Sequence, residues 1–481
     1  MKKDIQNYFF TIIIFCLPLI LANFYYIDDN GRAIEGYTNW GIDGRPLADA
    51  LMRAITMSSR LVDLHPLNLL ISSLVLAVSF SFLKHENDHK GNYLMSFFPP
   101  LFLIFNFFYL EILSYRFDSI TISIAVACAL FASTFRYNNK QNFLITFLSS
   151  LAMLCLYQTT INILLIVSMC NFVVFCNKES NTQKIIKKLL IKLVALFTSL
   201  IIYTKIIIPM SFSGNHSANH PGVNESLTLS GIFQNTKTML SVLCNGISKH
   251  SGEQLLIILF ILSMIAVVTL IIRNKEINIF IRIMILLSPI FAFISIFGVL
   301  LTLDHILFSP RVYIAYGAFL YFTAIVSILA LPERLKKLSF IYCLIILHSL
   351  ILSYAYGNML KTQDDRNKLL ASSIANDIGN TTTMKLVFNG TYPLTEENIN
   401  TLRSFPQLRL LLPNYFANWW WTFQYFKRNG YNFTYPGPVN LTDIVKSKKL
   451  CEPEPSRQNN KYNIYIVDDI ALIDFTKKLC E

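Results

Sequence analysis

Long apolar runs separated by short polar segments dominate the chain. A transmembrane helix needs about 20 mostly apolar residues, and eleven runs approach or reach that length. The first follows Lys2 and Lys3 but lacks a small-x-small cleavage site, so we interpret it as a retained helix rather than a signal peptide. We predict a polytopic α-helical membrane protein with about eleven transmembrane helices, at residues 8–26, 66–83, 94–113, 119–135, 142–157, 160–176, 189–209, 254–272, 283–302, 312–331 and 338–356.

Two polar stretches break this pattern. After the first run, residues 47–62 place Leu47, Leu51 and Ile55 on one side of a helix, which predicts an amphipathic helix in the membrane interface. After the last run, residues 357–481 are rich in turns, with a strand-like segment at 385–388, a helix-like segment at 395–404 and strand-like runs at 462–467 and 470–475. We therefore predict a membrane region over 1–356 and a small α/β domain over 357–481.

Composition supports membrane insertion. Of the 481 residues, 53% are hydrophobic and only 15% are charged, which excludes a soluble globular enzyme and a disordered chain. Mean hydropathy is +0.47. The net charge of +12 would in a soluble protein suggest nucleic acid, but membrane proteins collect Lys and Arg in their cytoplasmic loops. We expect the lipid bilayer as a partner and no nucleic acid.

The distribution of basic residues predicts the orientation. With the N-terminus inside, the cytoplasmic segments hold 17 Lys and Arg residues, and the opposite segments before the C-terminal domain hold nine. This places outer loops 27–65 and 210–253 and the domain 357–481 outside. Cys451 and Cys480 are the two cysteines of that domain, and in an oxidising compartment we expect them to form a disulfide.

The first outer loop carries the most informative chemistry. Asp28, Asp29 and Glu35 lie just beyond the first helix, and neighbouring carboxylates raise one another's pKa or recruit a cation. A carboxylate of this kind suits a general base that removes a proton from a hydroxyl. The alternative is a solvated loop in which Arg32 neutralises an aspartate. Gly31, Gly36, Gly41 and Gly44 around Trp40 favour a shaped loop over a spacer.

Other outer loops add acid, amide and arginine groups. Arg116, Asp118, Gln158 and Arg311 occupy such loops, and Asp304-His305 precedes the last of them. An arginine at the interface suits a lipid phosphate, although it also anchors ordinary headgroups. Trp40 and the run Trp419–Trp421 suit stacking on sugar rings or, alternatively, membrane anchoring. No Walker A loop, Gly-x-Gly-x-x-Gly after a strand, His-Glu-x-x-His or Gly-x-Ser-x-Gly is present in the sequence.

These motifs, in this order, resemble the serotype-converting O-antigen glucosyltransferases of the Gtr type, which are bacterial and often carried by prophages. The resemblance implies a GT-C-like fold and inverting transfer from a polyprenyl-phosphate sugar on the periplasmic face of the inner membrane. The adjacent acids replace the Asp-x-Asp or Glu-x-Asp of other GT-C enzymes, so the base stays open and no metal is implied. The motifs are Asp28-Asp29-x-Gly31-Arg32, Trp40, Gly44-Arg45-Pro46-Leu47, Arg116-Phe117-Asp118-Ser119, Tyr157-Gln158 and Ser309-Pro310-Arg311.

Our leading hypothesis is transfer of glucose from undecaprenyl-phosphate-glucose to a sugar hydroxyl of lipid-linked O-antigen. The alternative is a polyprenyl-linked glycan flippase or transporter, which should show ionisable groups at the midplane and internal repeats. We find neither pattern in the sequence. The site residues that we predict are Asp28, Asp29, Glu35 and Asp118 for catalysis, Arg45, Arg116 and Arg311 for the donor phosphate, and Arg32, Trp40, Gln158 and Trp420 for the sugars.

Overall fold

The structure is a computed structural model of the whole chain. It describes residues 1–87, 93–179, 181–212, 228–274, 277–303, 309–332, 341–379, 383–437, 441, 445 and 454–479. The predicted disulfide partners Cys451 and Cys480 lie outside the described residues, as do Asp304 and His305. The eighteen α-helices of the described residues are numbered here in chain order.

Among the described residues, helices form most of the region that we predicted to lie in the membrane. They are α1 (Lys2–Ala22), α2 (Asp29–Glu35), α3 (Pro46–Thr56), α4 (Leu67–Glu86), α5 (Tyr93–Leu101), α6 (Phe107–Ser114), α7 (Asp118–Ala132), α8 (Asn139–Leu156), α9 (Thr160–Lys178), α10 (Thr182–Ile202), α11 (Ile208–Ser211), α12 (Leu229–Ile247), α13 (Gly252–Arg273), α14 (Ile279–Ile294), α15 (Ala315–Ala330) and α16 (Ile341–Ile378). Short 3₁₀ segments at Gly41–Asp43, Gly298–Thr302 and Pro310–Tyr313 join several of them.

Several of these helices can cross a bilayer. Within the described residues, six are long and apolar enough: Lys2–Ala22, Leu67–Glu86, Thr160–Lys178, Gly252–Arg273, Pro310–Ala330 and Ile341–Ile378. Asp118–Ala132 and Ile279–Ile294 are shorter apolar helices. The chain is therefore a membrane protein, while eleven crossings and the GT-C-like arrangement stay predictions.

The predicted run 94–113 is two helices rather than one. Pro99 and Pro100 close the first helix at Leu101 because proline lacks the backbone N–H that a helix interior needs. The Asn106 side chain then accepts hydrogen bonds from the backbone N–H groups of Phe108 and Tyr109 and starts the second helix. This break makes Phe107–Ser114 a separate helix.

The C-terminal region contains the predicted strands. Strands β1 (Lys385–Asn389), β2 (Arg457–Gln458), β3 (Asn463–Val467) and β4 (Ile470–Asp474) form a sheet of order β1-β4-β3-β2. β1 runs parallel to β4, and β3 and β4 form an antiparallel hairpin. The predicted helix at 395–404 is α17 (Glu396–Ser404), capped by Thr395, and α18 (Trp420–Arg428) follows it.

One helix joins the membrane region to the C-terminal sheet. α16 (Ile341–Ile378) has 38 residues and continues well past residue 356, where we placed the domain boundary. At 1.5 Å per residue it extends roughly 57 Å, far more than the ~30 Å hydrocarbon thickness. It packs along α1 through Gly357, where an added Cβ would lie 2.5 Å from Pro18 Cβ. The two regions are thus connected by a continuous helix.

Candidate active site

The carboxylate pair lies at the start of a short helix beyond α1. Asp29 is fully buried, and its Oδ2 accepts hydrogen bonds from the backbone N–H groups of Tyr26 (3.1 Å) and Arg116 (2.9 Å). Burial raises the pKa of Asp29 well above its ordinary value, and the neighbouring Asp28 charge raises it further. The two backbone N–H groups act against that shift. Asp29 therefore joins the first outer loop to the loop that precedes α7 through hydrogen bonds.

Asp28 has different surroundings. Its Oδ2 accepts from Arg32 Nε at 3.0 Å, its Oδ1 has no hydrogen-bond partner among the described residues, and its side chain stays 18% exposed. Burial raises the pKa of Asp28, Arg32 and Arg311 lower it, and Asp118 raises it. An unsatisfied carboxylate oxygen is costly and needs an explanation. Asp29 Oδ1 also lacks a partner among the described residues, so exposure is what distinguishes the pair: the Asp28 side chain is 18% exposed and Asp29 is fully buried.

A chain of contacts connects Asp28 to Asp118. The Arg32 guanidinium donates to the carbonyl oxygen of Thr38 and lies 3.9 Å from the centre of the Trp40 ring. Trp40 is fully buried, and its Nε1 donates to Asp118 Oδ1 at 2.7 Å. Asp118 begins α7, so the first and second outer loops meet here. In this position Asp118 orients Trp40.

The loop at Arg45 joins the same cluster. Arg45 Nη1 lies 3.8 Å from Asp118 Oδ1, and Arg45 Nη2 donates to Asp43 at 3.0 Å. Gln158 Nε2 donates to the carbonyl oxygen of Asp43 at 2.9 Å. Between them, Gly44 has φ +75°, and a Cβ there would lie 2.6 Å from Ile208 Cδ1, so the turn requires glycine.

Arg311 enters the cluster from the 3₁₀ turn Pro310–Tyr313. Its guanidinium lies 4.6 Å from the centre of the Tyr115 ring and contributes to the electrostatic field at Asp28. Within the described part of the chain, that guanidinium makes no hydrogen bond or ion pair to protein. A fork of arginine N–H donors without protein partners suits a phosphate.

Arg116 is engaged differently. Its Nε donates to Phe24 O at 3.0 Å, its Nη1 to Asp63 Oδ2 at 2.6 Å, and its Nη2 to Asn23 O at 2.6 Å. The side chain is 4% exposed. Its three guanidinium nitrogens are thus committed to the end of α1 and the first outer loop, and the predicted phosphate role gains no support from this geometry.

Glu35 ends α2 and contacts α18, and Trp420 is the first residue of α18. Glu35 Oε1 is 3.1 Å from Lys427 Nζ and 3.4 Å from Gln424 Nε2. Trp420 is 46% exposed and packs edge-on against Tyr435. Of the predicted residues, the structure brings Asp28, Arg32, Trp40, Arg45, Asp118 and Arg311 together, with Gln158 adjoining them, and gives Glu35 and Trp420 contacts in the C-terminal region.

The C-terminal region contacts the first outer loop, and the sequence did not predict these contacts. Tyr415 Oη accepts from the Ile27 backbone N–H at 2.8 Å and from Asn30 Nδ2 at 3.1 Å, and donates to Tyr25 O at 2.8 Å. Arg428 Nε donates to Asn30 Oδ1 at 2.8 Å. No local motif marks these residues. A second unpredicted residue, Glu111, had a visible signal, because it is a carboxylate inside the apolar run 94–113.

The fold and site define a membrane-embedded protein with a carboxylate and arginine cluster where the ends of several apolar helices meet. Residues 17–322, well over half the chain, match the family model described as Glucosyl transferase GtrII. The chain belongs to this family and is a glucosyltransferase. The Gtr-type resemblance predicted from the loop motifs is confirmed.

A relative of unassigned function is similar over nearly the full length. It is the "Uncharacterized 55.3 kDa protein in gtrB 5'region" of Salmonella phage P22, 27% identical over 474 residues that cover 96% of each chain. No solved structure matches the chain. Nearly the whole chain, including most of the C-terminal region beyond the family match, thus has a counterpart in that phage protein.

Tyr415→Phe tests the support that the C-terminal region gives to the loop. The change removes one hydroxyl and leaves the Ile27 N–H without its partner, at about 1–3 kcal/mol, while Asn30 Nδ2 still donates to the carbonyl oxygens of Tyr25 and Ile27. We expect glucosyl transfer to fall at least about tenfold at matched membrane abundance. Tyr431→Phe is the control, because no hydrogen bond of the Tyr431 hydroxyl is seen among the described residues. Equal activity in both variants would contradict the support role.

Proposed function

We propose that this enzyme transfers glucose from undecaprenyl-phosphate-glucose to a sugar hydroxyl of lipid-linked O-antigen at the periplasmic face. The proposal rests on two groups of the same cluster. Asp28 keeps an oxygen without a partner, and the Arg311 guanidinium makes no hydrogen bond or ion pair within the described residues. Family membership supports the glucosyl group. The arginine supports a phosphate-bearing donor, and the membrane helices support a lipid one.

The reaction that this cluster suits is an inverting displacement. The acceptor oxygen attacks the anomeric carbon and forms the new glycosidic bond while the bond from that carbon to the phosphate oxygen breaks. The electron pair leaves with the polyprenyl phosphate, and the acceptor proton moves to Asp28 Oδ1. Arg311 stabilises the negative charge that develops on the leaving phosphate. The product is the β-linked glucoside if the donor is α, and the α-linked one if it is β.

The other members of the cluster position these two groups. Arg32 holds Asp28 Oδ2, and Asp118 holds Trp40 and Arg45. Asp29 and Arg116 secure the loop. We propose that Gln158 and the exposed Trp420 contact the acceptor glycan. Within the described residues no group of three or more metal-ligating side chains is found, and we propose no metal role.

The proposed location is the bacterial inner membrane, with the N-terminus cytoplasmic and the C-terminus periplasmic. The excess of Lys and Arg in the alternate loops supports this orientation. Asp28 follows the end of α1, Asp118 begins α7, and Arg311 precedes α15. A single face for these three is what an active site shared by several helices requires.

A vesicle assay tests donor, acceptor and side together. Right-side-out membrane vesicles that contain the enzyme receive polyprenyl-phosphate-glucose with labelled glucose, and O-antigen is supplied outside. We expect label in the O-antigen, and no label when inside-out vesicles receive the same acceptor. Transfer only in inside-out vesicles would contradict the periplasmic site. Transfer from a nucleotide sugar but not from the lipid donor would contradict the donor.

A further inference from the structure

A buried carboxylate holds the turn that carries Arg311. Glu111, in α6, is 3% exposed. Ser309 Oγ lies 2.9 Å from each of its oxygens, and the backbone N–H of Arg311 donates to Glu111 Oε2 at 2.6 Å. A carboxylate within an apolar run is expensive to bury and is usually functional. The hydrogen bonds of Glu111 hold the turn at Ser309–Arg311, which explains why a carboxylate is buried here.

Glu111 and Arg311 have different roles in this part of the site. Glu111 accepts from the Ser309 hydroxyl and from the Arg311 backbone N–H, so its contacts hold the turn. Arg311 uses its backbone N–H on Glu111 and, among the described residues, leaves its guanidinium uncommitted beside the Tyr115 ring. Glu111 thus fixes the backbone of Arg311 and leaves the guanidinium free of contacts with Glu111.

We infer that Glu111 is a positioning residue for the donor phosphate, acting through the turn 309–311 that it holds. The inference rests on the proposed function, because it takes Arg311 as the phosphate ligand. Without these hydrogen bonds, the Arg311 guanidinium would no longer point toward the donor phosphate. The donor KM would then rise more than kcat falls.

Two substitutions at Glu111 separate the effect of its hydrogen bonds from the effect of a side chain that only fills the space. In Glu111→Gln, Oε1 accepts from the Arg311 N–H and Nε2 donates to Ser309 Oγ, so the turn keeps its contacts. We expect a donor KM within roughly threefold of wild type. Glu111→Leu fills the space and inserts readily in an apolar helix but makes neither contact. We expect its donor KM to rise at least about tenfold, with the acceptor KM unchanged and kcat much less affected.

Ser309→Ala and Ser349→Ala complete the series. Ser309→Ala removes one of the two partners of Glu111, and we expect a donor KM between those of the Gln and Leu variants. Ser349→Ala removes another buried hydroxyl, which bonds Phe105 O, and should leave the donor KM unchanged. If the Leu variant fails to accumulate in the membrane, Ser309→Ala decides the question.

The outcomes are distinguishable. A wild-type donor KM in Glu111→Leu or in Ser309→Ala, or a fall in kcat alone, overturns the positioning role while the proposed function stands. A wild-type enzyme that transfers nothing from polyprenyl-phosphate-glucose overturns the proposed function and this inference with it. The expected order of donor KM, from wild type through Gln and Ala to Leu, supports both.

Discussion

Asp28→Asn should lower glucosyl transfer by at least about 100-fold, the usual lower range for loss of a general base. Asparagine keeps the shape of the side chain, and its Oδ1 can still accept from Arg32 Nε, so the loop stays in place. Its amide cannot take the acceptor proton. The measurement is initial rate from polyprenyl-phosphate-glucose in membranes with matched enzyme abundance.

Asp29→Asn is the matched control. Both backbone N–H groups that Asp29 binds, from Tyr26 and Arg116, reach the same oxygen, Oδ2. The single carbonyl oxygen of asparagine can accept both, so we expect this variant to retain activity within about tenfold of wild type. If Asp29→Asn is the inactive variant and Asp28→Asn is active, the assignment of the base is reversed.

The pH dependence gives the same prediction a second readout. Burial raises the pKa of Asp28, although Arg32 and Arg311 act against that shift. The base works as the carboxylate, so activity is present above this pKa and is lost as the pH falls through it. We expect the acidic limb of kcat/KM at a higher pH than the ~3.9 of an exposed aspartate. A limb at or below that value would contradict Asp28 as the base.

Arg311→Ala should weaken use of the lipid donor most among the arginine variants. Two or more charge-assisted hydrogen bonds to the leaving phosphate would be lost, which is worth roughly 100-fold in kcat/KM for the donor. Arg311→Lys should recover part of this loss, because it restores the charge without the planar fork. The acceptor KM should change little in either variant.

The arginine control comes from an exposed position. Arg403, in α17, has no partner among the described residues, and Arg403→Ala should behave as wild type. Equal donor kinetics in Arg311→Ala and Arg403→Ala would remove Arg311 from the phosphate site. Arg116 does not serve as a control, because its substitution would release the loop that carries Asp28.

The sequence alone predicted those features that depend on neighbouring residues. Apolar runs identify membrane helices because each must be apolar along its own length, and the short strand-like runs 462–467 and 470–475 identify β3 and β4 for a similarly local reason. The loop motifs predicted the family. The prediction of one helix over 94–113 was wrong for a local reason as well: Pro99 and Pro100 belong to the apolar run, but proline ends a helix.

Tertiary structure decided which member of each residue type is available for chemistry. Asp28 and Asp29 are neighbours of identical type, and only packing buries Asp29 completely against the backbone N–H of Arg116 while the Asp28 side chain stays 18% exposed. Arg116 and Arg311 look alike in sequence, yet one has all its nitrogens committed to protein. Tyr415 reaches Ile27 across 388 positions of chain. Hydrogen-bond partners so distant in sequence are set by the packing of helices, and no local pattern of residues encodes them.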